Sequence, residues 1–510
     1  MIRNLHVLLL ALLFAWVSTA DGEGPGIQVL FPVDGLILTP RYDNSPAPGL
    51  QVWLVGLAPF GFEVQVNDHQ ARLIDGNGNL PASLPVTYQP QNQYMRLAYP
   101  LGEMLVDPVQ YTPFFYQLEV RGSMADLEIV ARRNEEALIE TATFYYRSDP
   151  ARTFAITIDD AADLFAEIAR RAGRYTSIFD HPILTFLRDL HQQYGAVFSF
   201  YLFQQGTTYP DFDLSQMPDK FRAEWTQNSS WLRLGFHAQS MLPIEPYAQG
   251  TYQQARSDFN AVRNQVFRFA GPQVWDLFMR SHYWSGSRQS CQAWRSAGTR
   301  GLYGAIAGHR NYYLTAAQNP IVNQCDYWWD QAEDIIFVQT DIWIERDFAA
   351  SGNERTTSSD RVAVKLDSLI RKPYAYQNIE VFTHESLLFD HAVAWQVRQR
   401  LEETVAWMTV HGYTSRFDAD DPFLGSLPPP PPYGLHLKDD SLTVLSLSWN
   451  HHQSRVPYHY LVYRKDLSAP LGNWMKIGET GQQEFVDSWQ PGLYAYRVFA
   501  VNAAGRRSAG

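Results

Sequence analysis

A chain of 510 residues has room for about three domains and for a large buried core. Its 45% hydrophobic and 14% aromatic content excludes wholesale disorder. The net charge of −12, from 41 basic and 53 acidic residues, lacks the basic footprint of a generic nucleic-acid binder. Nucleic acid is therefore not expected as a partner, and a neutral or cationic polymer suits this surface better. The composition carries no signal about oligomeric state.

Residues 1–20 read as a cleaved signal peptide. Arg3 precedes an apolar run over 7–17, and Ser18-Thr19-Ala20 supplies the small residues of a cleavage site. The run is too short to span a bilayer, and polar Asp21-Gly22-Glu23-Gly24 follows it. The mature protein is expected to be secreted or periplasmic, with no integral membrane segment. An uncleaved signal anchor is the alternative. No cysteine follows Ala20, which argues against a lipid anchor.

Between 27 and 147 short β-rich runs (27–31, 62–66, 116–120) alternate with turn residues such as Asp34-Gly35 and Asn67-Asp68. Evenly spaced short strands predict a β-sandwich. The layout resembles the immunoglobulin-like modules that accompany exported carbohydrate enzymes.

The pattern changes at Thr153. A strand over 154–158 runs into Asp159-Asp160 and then a helical stretch over 161–171. A second helix carries Ile183, Leu184, Phe186, Leu187 and Leu190, and it feeds a near-continuous apolar strand over 196–202. Further strands are expected at 232–236, 335–338 and 379–382, with amphipathic helices over 261–269 and 392–409. Doubly buried strands alternating with helices predict a parallel α/β sheet or barrel over 153–427.

Five prolines at 428–432 form a stiff spacer. The segment 433–510 then shows strands at 446–449, 460–464, 474–478 and 494–502. It resembles a fibronectin type III domain, with Trp449 and Tyr463 in core places. Such modules are spacers more often than active sites.

Only two cysteines exist, Cys291 and Cys325. In an oxidising compartment they are most simply a disulfide; two buried thiols are the alternative.

Chemistry-bearing residues gather at the expected strand ends. Asp159-Asp160 would place two carboxylates where barrels hold catalysis, although Asp160 equally suits a helix N-cap. His237 ends the strand at 232–236. Arg280-Ser281-His282-Tyr283-Trp284 joins a cation, an imidazole and two aromatic rings. Asp341-Ile342-Trp343 follows the strand at 335–338, and His384 ends the one at 379–382. Each is bland alone.

In this order they resemble the polysaccharide deacetylase superfamily (carbohydrate esterase family 4). Thr157-Ile158-Asp159-Asp160 matches its T-F-D-D strand end, residues 280–284 its R-x-P-Y/F-W loop, 341–343 part of its D-x-W element, and His384 its late histidine. The resemblance spans about 153–414 and implies a distorted (β/α) barrel. One departure stands out. Met241 occupies the place of the second histidine of the family's H-x-x-x-H motif, and a thioether is a poor ligand for zinc. The resemblance implies Zn2+, or another divalent metal, on Asp160 and His237. His282, in place of the family's proline, is the expected third ligand, with Glu245 as fallback. It further implies Asp159 as base, Arg280 as its holder, His384 as acid and Asp341 as the group orienting His384. Tyr283, Trp284 and Trp343 would offer flat faces to a sugar, or serve as ordinary core aromatics.

The expected function is an exported metal-dependent hydrolase that removes acetyl groups from a polysaccharide. Two alternatives stay open. One is a non-catalytic carbohydrate-binding protein with a degenerate site. The other is a glycoside hydrolase using Asp159 with Asp341 or Glu385.

Overall fold

The computed structural model describes residues 25–43, 49–74, 80–81, 83–306, 309–347, 360–371, 376–389, 392–429, 432–441, 444–450, 459–467, 473–488, 494–501 and 507–508. The signal-peptide reading at 1–20 and the middle of the proline spacer lie outside these residues. The chain is multidomain and mostly β, with six sheets among the described residues. No helix among them is long and apolar enough to cross a membrane.

In the N-terminal segment, Leu50–Pro59 and Tyr111–Val120 pair antiparallel over ten residues. Met124–Arg133 pairs likewise with Glu136–Tyr146 in a second sheet. Their alternating apolar residues, among them Leu54, Phe114, Ile129 and Phe144, share one core. That core does not stop at the expected boundary. Leu36–Leu38 pairs parallel with Tyr145-Tyr146 on one side and antiparallel with Tyr327-Trp328 on the other. A nine-stranded sheet therefore runs from the first segment into the second. Buried Arg147 reinforces the join, its Nε 3.0 Å from Oδ2 of Asp421.

The parallel strands of the second segment form two arcs; their pairing among the described residues bears out a parallel α/β arrangement and traces no closed barrel. One arc runs Ile342-Trp343, Asn378–His384, Arg152–Ala161, Phe198–Phe203, Leu232–Ala238. The other runs Phe278-Met279, Gly301–Tyr303, Ile335–Val338. Tyr327–Asp330 then pairs antiparallel with Ile335–Val338 and diverts the second arc outward to Leu36–Leu38. The arcs meet at the bridge of Leu234 to Trp275, where the Asp276 N–H donates to the Leu234 carbonyl, and through Arg280, which follows Phe278-Met279 and bonds Glu380 and Asp159 of the first arc.

Cys291 and Cys325 are buried free thiols, so the expected disulfide is absent. Each is held by its own surroundings. Cys291 lies on helix Arg288–Ser296 against the Gly286 backbone, where an added Cβ would stand 2.9 Å from its sulfur. Cys325 donates its S–H to the Ile321 carbonyl at 2.8 Å. Burial pushes both thiols up, which keeps them protonated and inert.

The last segment is a sandwich of two three-stranded antiparallel sheets. Tyr433–Ser441, Val444–Asn450 and Glu484–Ser488 form one; Met475–Thr480, His459–Asp466 and Tyr494–Val501 form the other. Trp449 is in the core, but its partner is Tyr460, 5.3 Å away between ring centroids. Strand alternation buries Tyr460 and Val462, and leaves Tyr463 half-buried against Phe499. Glu128 of the first segment fastens this sandwich, accepting from Lys465 at 2.5 Å, Trp474 Nε1 at 2.9 Å and Arg497 at 3.2 Å.

Candidate metal centre and surrounding pocket

Strand Arg152–Ala161 sets the site. Thr157 faces the interior of the first arc, and period-2 alternation gives Asp159 the same face. Asp160 would then point away, but the register with Phe198–Phe203 slips between Ile158 and Ala161. Asp160 takes a left-handed backbone with φ of 57°. This bulge turns both consecutive carboxylates into one pocket. Asp160 is therefore not the helix cap. Helix Asp163–Arg171 is capped by Glu385, whose carboxylate accepts the amides of Ala162, Asp163 and Leu164, each at 2.9 Å.

Asp160, His237 and His282 come together. Oδ1 of Asp160 lies 2.9 Å from Nε2 of His237 and 3.2 Å from Nδ1 of His282, and those two nitrogens are 3.2 Å apart. The remaining ring nitrogens fix the tautomers. Nδ1–H of His237 donates to the Arg280 carbonyl at 2.6 Å, and Nε2–H of His282 donates to the Met241 carbonyl at 3.1 Å. Two imidazole lone pairs and a carboxylate thus converge without a proton among them. Such a group repels itself unless a cation lies at its centre. Tetrahedral bonds of about 2.0–2.1 Å have edges of about 3.3 Å, close to the three separations observed. Burial holds His282 below its ordinary pKa, so it is neutral, as a ligand must be. The residues present fit a divalent ion. Glu245 is exposed and lies off the pocket, whereas Met241 lines it.

Asp159 sits beside this cluster, 3% exposed and paired with Arg280 Nη1 at 3.1 Å. Arg280 is itself fully buried. Its Nη2 donates to Glu380 at 2.7 Å and to Thr340 Oγ1 at 3.0 Å, and its Nη1 to Thr157 Oγ1 at 2.7 Å. Across the parallel register Asp159 is the direct partner of His384. His384 donates Nδ1–H to Glu345 at 2.7 Å, and its backbone N–H reaches the same oxygen at 2.9 Å. Burial disfavours the imidazolium. The Glu345 hydrogen bond and the charges of Glu345, Asp160 and Asp159 outweigh that, and His384 is pushed up to about 9.

Asp341 does not orient His384, contrary to expectation. Its Oδ2 accepts the Glu380 amide at 2.9 Å, because the strand edge claims it, and Glu345 one helical turn later takes the role. The glycosidase carboxylate pairs are likewise not assembled, since Asp341 lies off the pocket and Glu385 is spent on its cap. Trp343 lines the pocket with its ring 5.5 Å from His384, and Tyr283 lines it half-exposed. Trp284 is buried at its wall near Phe382 and His309. Glu345, Glu380 and His309 were not expected. Glu380 carried a signal, being a lone charge in step with Phe382 and His384 on one face of an apolar strand. The pocket holds about 450 Å3.

No family model matches the chain, and no curated protein sequence matches it. Among solved structures, a peptidoglycan N-acetylglucosamine deacetylase is 11% identical, with 52% of this chain and 86% of that chain covered, at a TM-score of 0.28. The fn3 domain of human collagen alpha-1(XX) is 28% identical over 16% of this chain and 75% of that chain, at a TM-score of 0.14. Titin kinase with its flanking domains is 24% identical, at a TM-score of 0.14, and the alignment covers 16% of each chain. None of these similarities assigns a family or an activity.

Proposed function

We propose that this chain is an exported metal-dependent hydrolase that removes acetyl groups from an N-acetylated (or O-acetylated) polysaccharide. One observation carries the reading: three converging, proton-free donor atoms lie in the same pocket as a paired carboxylate and a charged histidine. Asp160, His237 and His282 would hold the ion. When bound, a divalent ion such as zinc polarises a carbonyl and acidifies water. Asp159, held in place by Arg280, takes the proton of the attacking water. His384, protonated at neutral pH and aimed by Glu345, gives a proton to the leaving amine. Trp343 and Tyr283 offer flat faces to the sugar. The C-terminal strand order supports a fibronectin type III-like spacer.

The test is the metal content of the purified protein beside Asp160→Ala and His282→Ala, followed by acetate release from acetylated glycans. Near-stoichiometric zinc, lost in both variants, is the expected result. No metal after zinc is added back would overturn the reading and favour a glycan-binding protein without chemistry.

A further inference from the structure

The walls of the pocket differ in chemistry. On the His384 side they are aromatic, with Trp343 5.5 Å and Phe382 5.6 Å from the imidazole ring. On the side of the donor cluster, next to the Tyr283 ring 4.7 Å from that of His282, the loop hydrogen-bonded to His282 through the Met241 carbonyl adds a ridge of aliphatic side chains. Met241, Leu242 and Ile244 all line the pocket, yet are 44%, 69% and 58% exposed. Contiguous exposed aliphatic side chains at a pocket mouth are costly in water and mark a place where apolar matter is taken up. A sugar stacks on flat rings, whereas Met, Leu and Ile side chains match an alkyl chain.

We infer that the site cleaves acyl groups longer than acetyl, with the acyl tail laid along Met241, Leu242 and Ile244. This rests on the hydrolase reading and enlarges its acyl group. The direction follows from the acid. His384 must face the leaving amine, so the amine and its sugar lie along the aromatic wall. The acyl carbon's other substituent then turns away from His384, toward the His282 side, where the Met241 loop lies. In the reaction the water oxygen bonds to the acyl carbon and the carbon–nitrogen bond breaks. The water's first proton goes to Asp159 and the amine takes one from His384, giving a fatty acid and a free amino sugar. No oxidant or further reactant is needed.

Calorimetry on Asp159→Asn protein with glucosamines bearing two-, four-, six- and eight-carbon N-acyl chains tests this, beside hydrolysis of the same series by the unaltered protein. Affinity is expected to rise about fourfold per methylene that reaches the ridge, with an increasingly negative heat-capacity change. The double variant Leu242→Ser/Ile244→Ser is expected to lose most of that rise. Both side chains are exposed, so folding is checked simply by an unchanged melting curve. A flat binding series overturns the inference even if acetate is released. A rising series with no hydrolysis of any chain supports the apolar subsite and overturns the hydrolase reading instead. Capture of the unaltered protein, but not the double variant, by phosphatidylcholine vesicles together with a flat series would make the ridge a membrane-docking surface and also overturn it.

Discussion

Glu345 holds His384 twice with a single oxygen, through the ring Nδ1–H at 2.7 Å and through the backbone N–H at 2.9 Å. The carboxylate therefore fixes the ring's position as well as its charge. Glu345→Gln keeps the shape and removes the charge, so His384 should fall from about 9 toward the ordinary value of about 6.5. A general acid works only while protonated. The alkaline limb of the pH–rate profile should accordingly move down by roughly two pH units, with activity at pH 6 largely kept. An unmoved limb would exclude His384 as the acid.

A bound ion should stabilise the fold through the cluster that holds it. Saturating zinc at about 100 times its Kd contributes roughly 2.7 kcal/mol. Treatment with a chelator is expected to lower the melting temperature of the unaltered protein by several degrees. The chelator should leave His282→Ala unchanged, since that variant has no ion to lose.

Asp418 accepts hydrogen bonds from Tyr303 at 2.8 Å, Tyr327 at 2.8 Å and Asn378 at 3.2 Å inside the α/β segment. Burial pushes its carboxyl up to about 7, despite the two tyrosine donors. A raised acid contributes stability that is fully present below its unfolded value of about 3.9, and that is lost as pH climbs through about 7. Asp418→Asn should flatten the fall in stability over this window, read from urea midpoints at pH 4 and pH 7.5.

Arg147 is 1% exposed and pairs with Asp421, which also caps helix Pro422–Gly425 and pairs with Arg416. Removing Arg147 leaves buried Asp421 with Arg416 as its remaining cation and a vacated space beside it. Arg147→Ala should therefore cost about 3 kcal/mol, the low end for a broken buried pair, measured by denaturant unfolding. A loss under 1 kcal/mol would mean that water reaches the vacated site.

Both thiols should resist modification in the folded protein. A thiol reagent is expected to titrate two groups only after denaturation, and reducing agent should leave the melting temperature unchanged. A drop on reduction would restore the disulfide.

Much of the strand and helix pattern was legible because apolar periodicity is local. The strand at 154–158, the helix carrying Ile183 and Leu187, and the strand at 335–338 all read directly from residue spacing. The sandwich-to-barrel boundary misled, since the pairing of Leu36–Leu38 with Tyr327-Trp328 joins residues nearly 300 apart, and no local pattern encodes it. The site divides the same way. Asp159, Asp160, His237, His282 and His384 end strands or adjoining loops and were visible as polar breaks in apolar runs. Which carboxylate orients His384 was not visible, because Asp341 and Glu345 differ only in whether a strand edge or a helix turn carries them. The bulge at Asp160 left no mark in the sequence either, yet it alone brings adjacent carboxylates to one side.

The nine-stranded sheet makes the described residues of the segment 25–147 part of the same cooperative unit as the pocket. Cutting the chain between Arg147 and Arg152 would bare one edge of Tyr327–Asp330, a row of open amides and carbonyls flanked by two tryptophans. Such an edge recruits other chains. The segment that carries the pocket, expressed alone, should therefore aggregate, while heat should melt residues 25–427 in one transition.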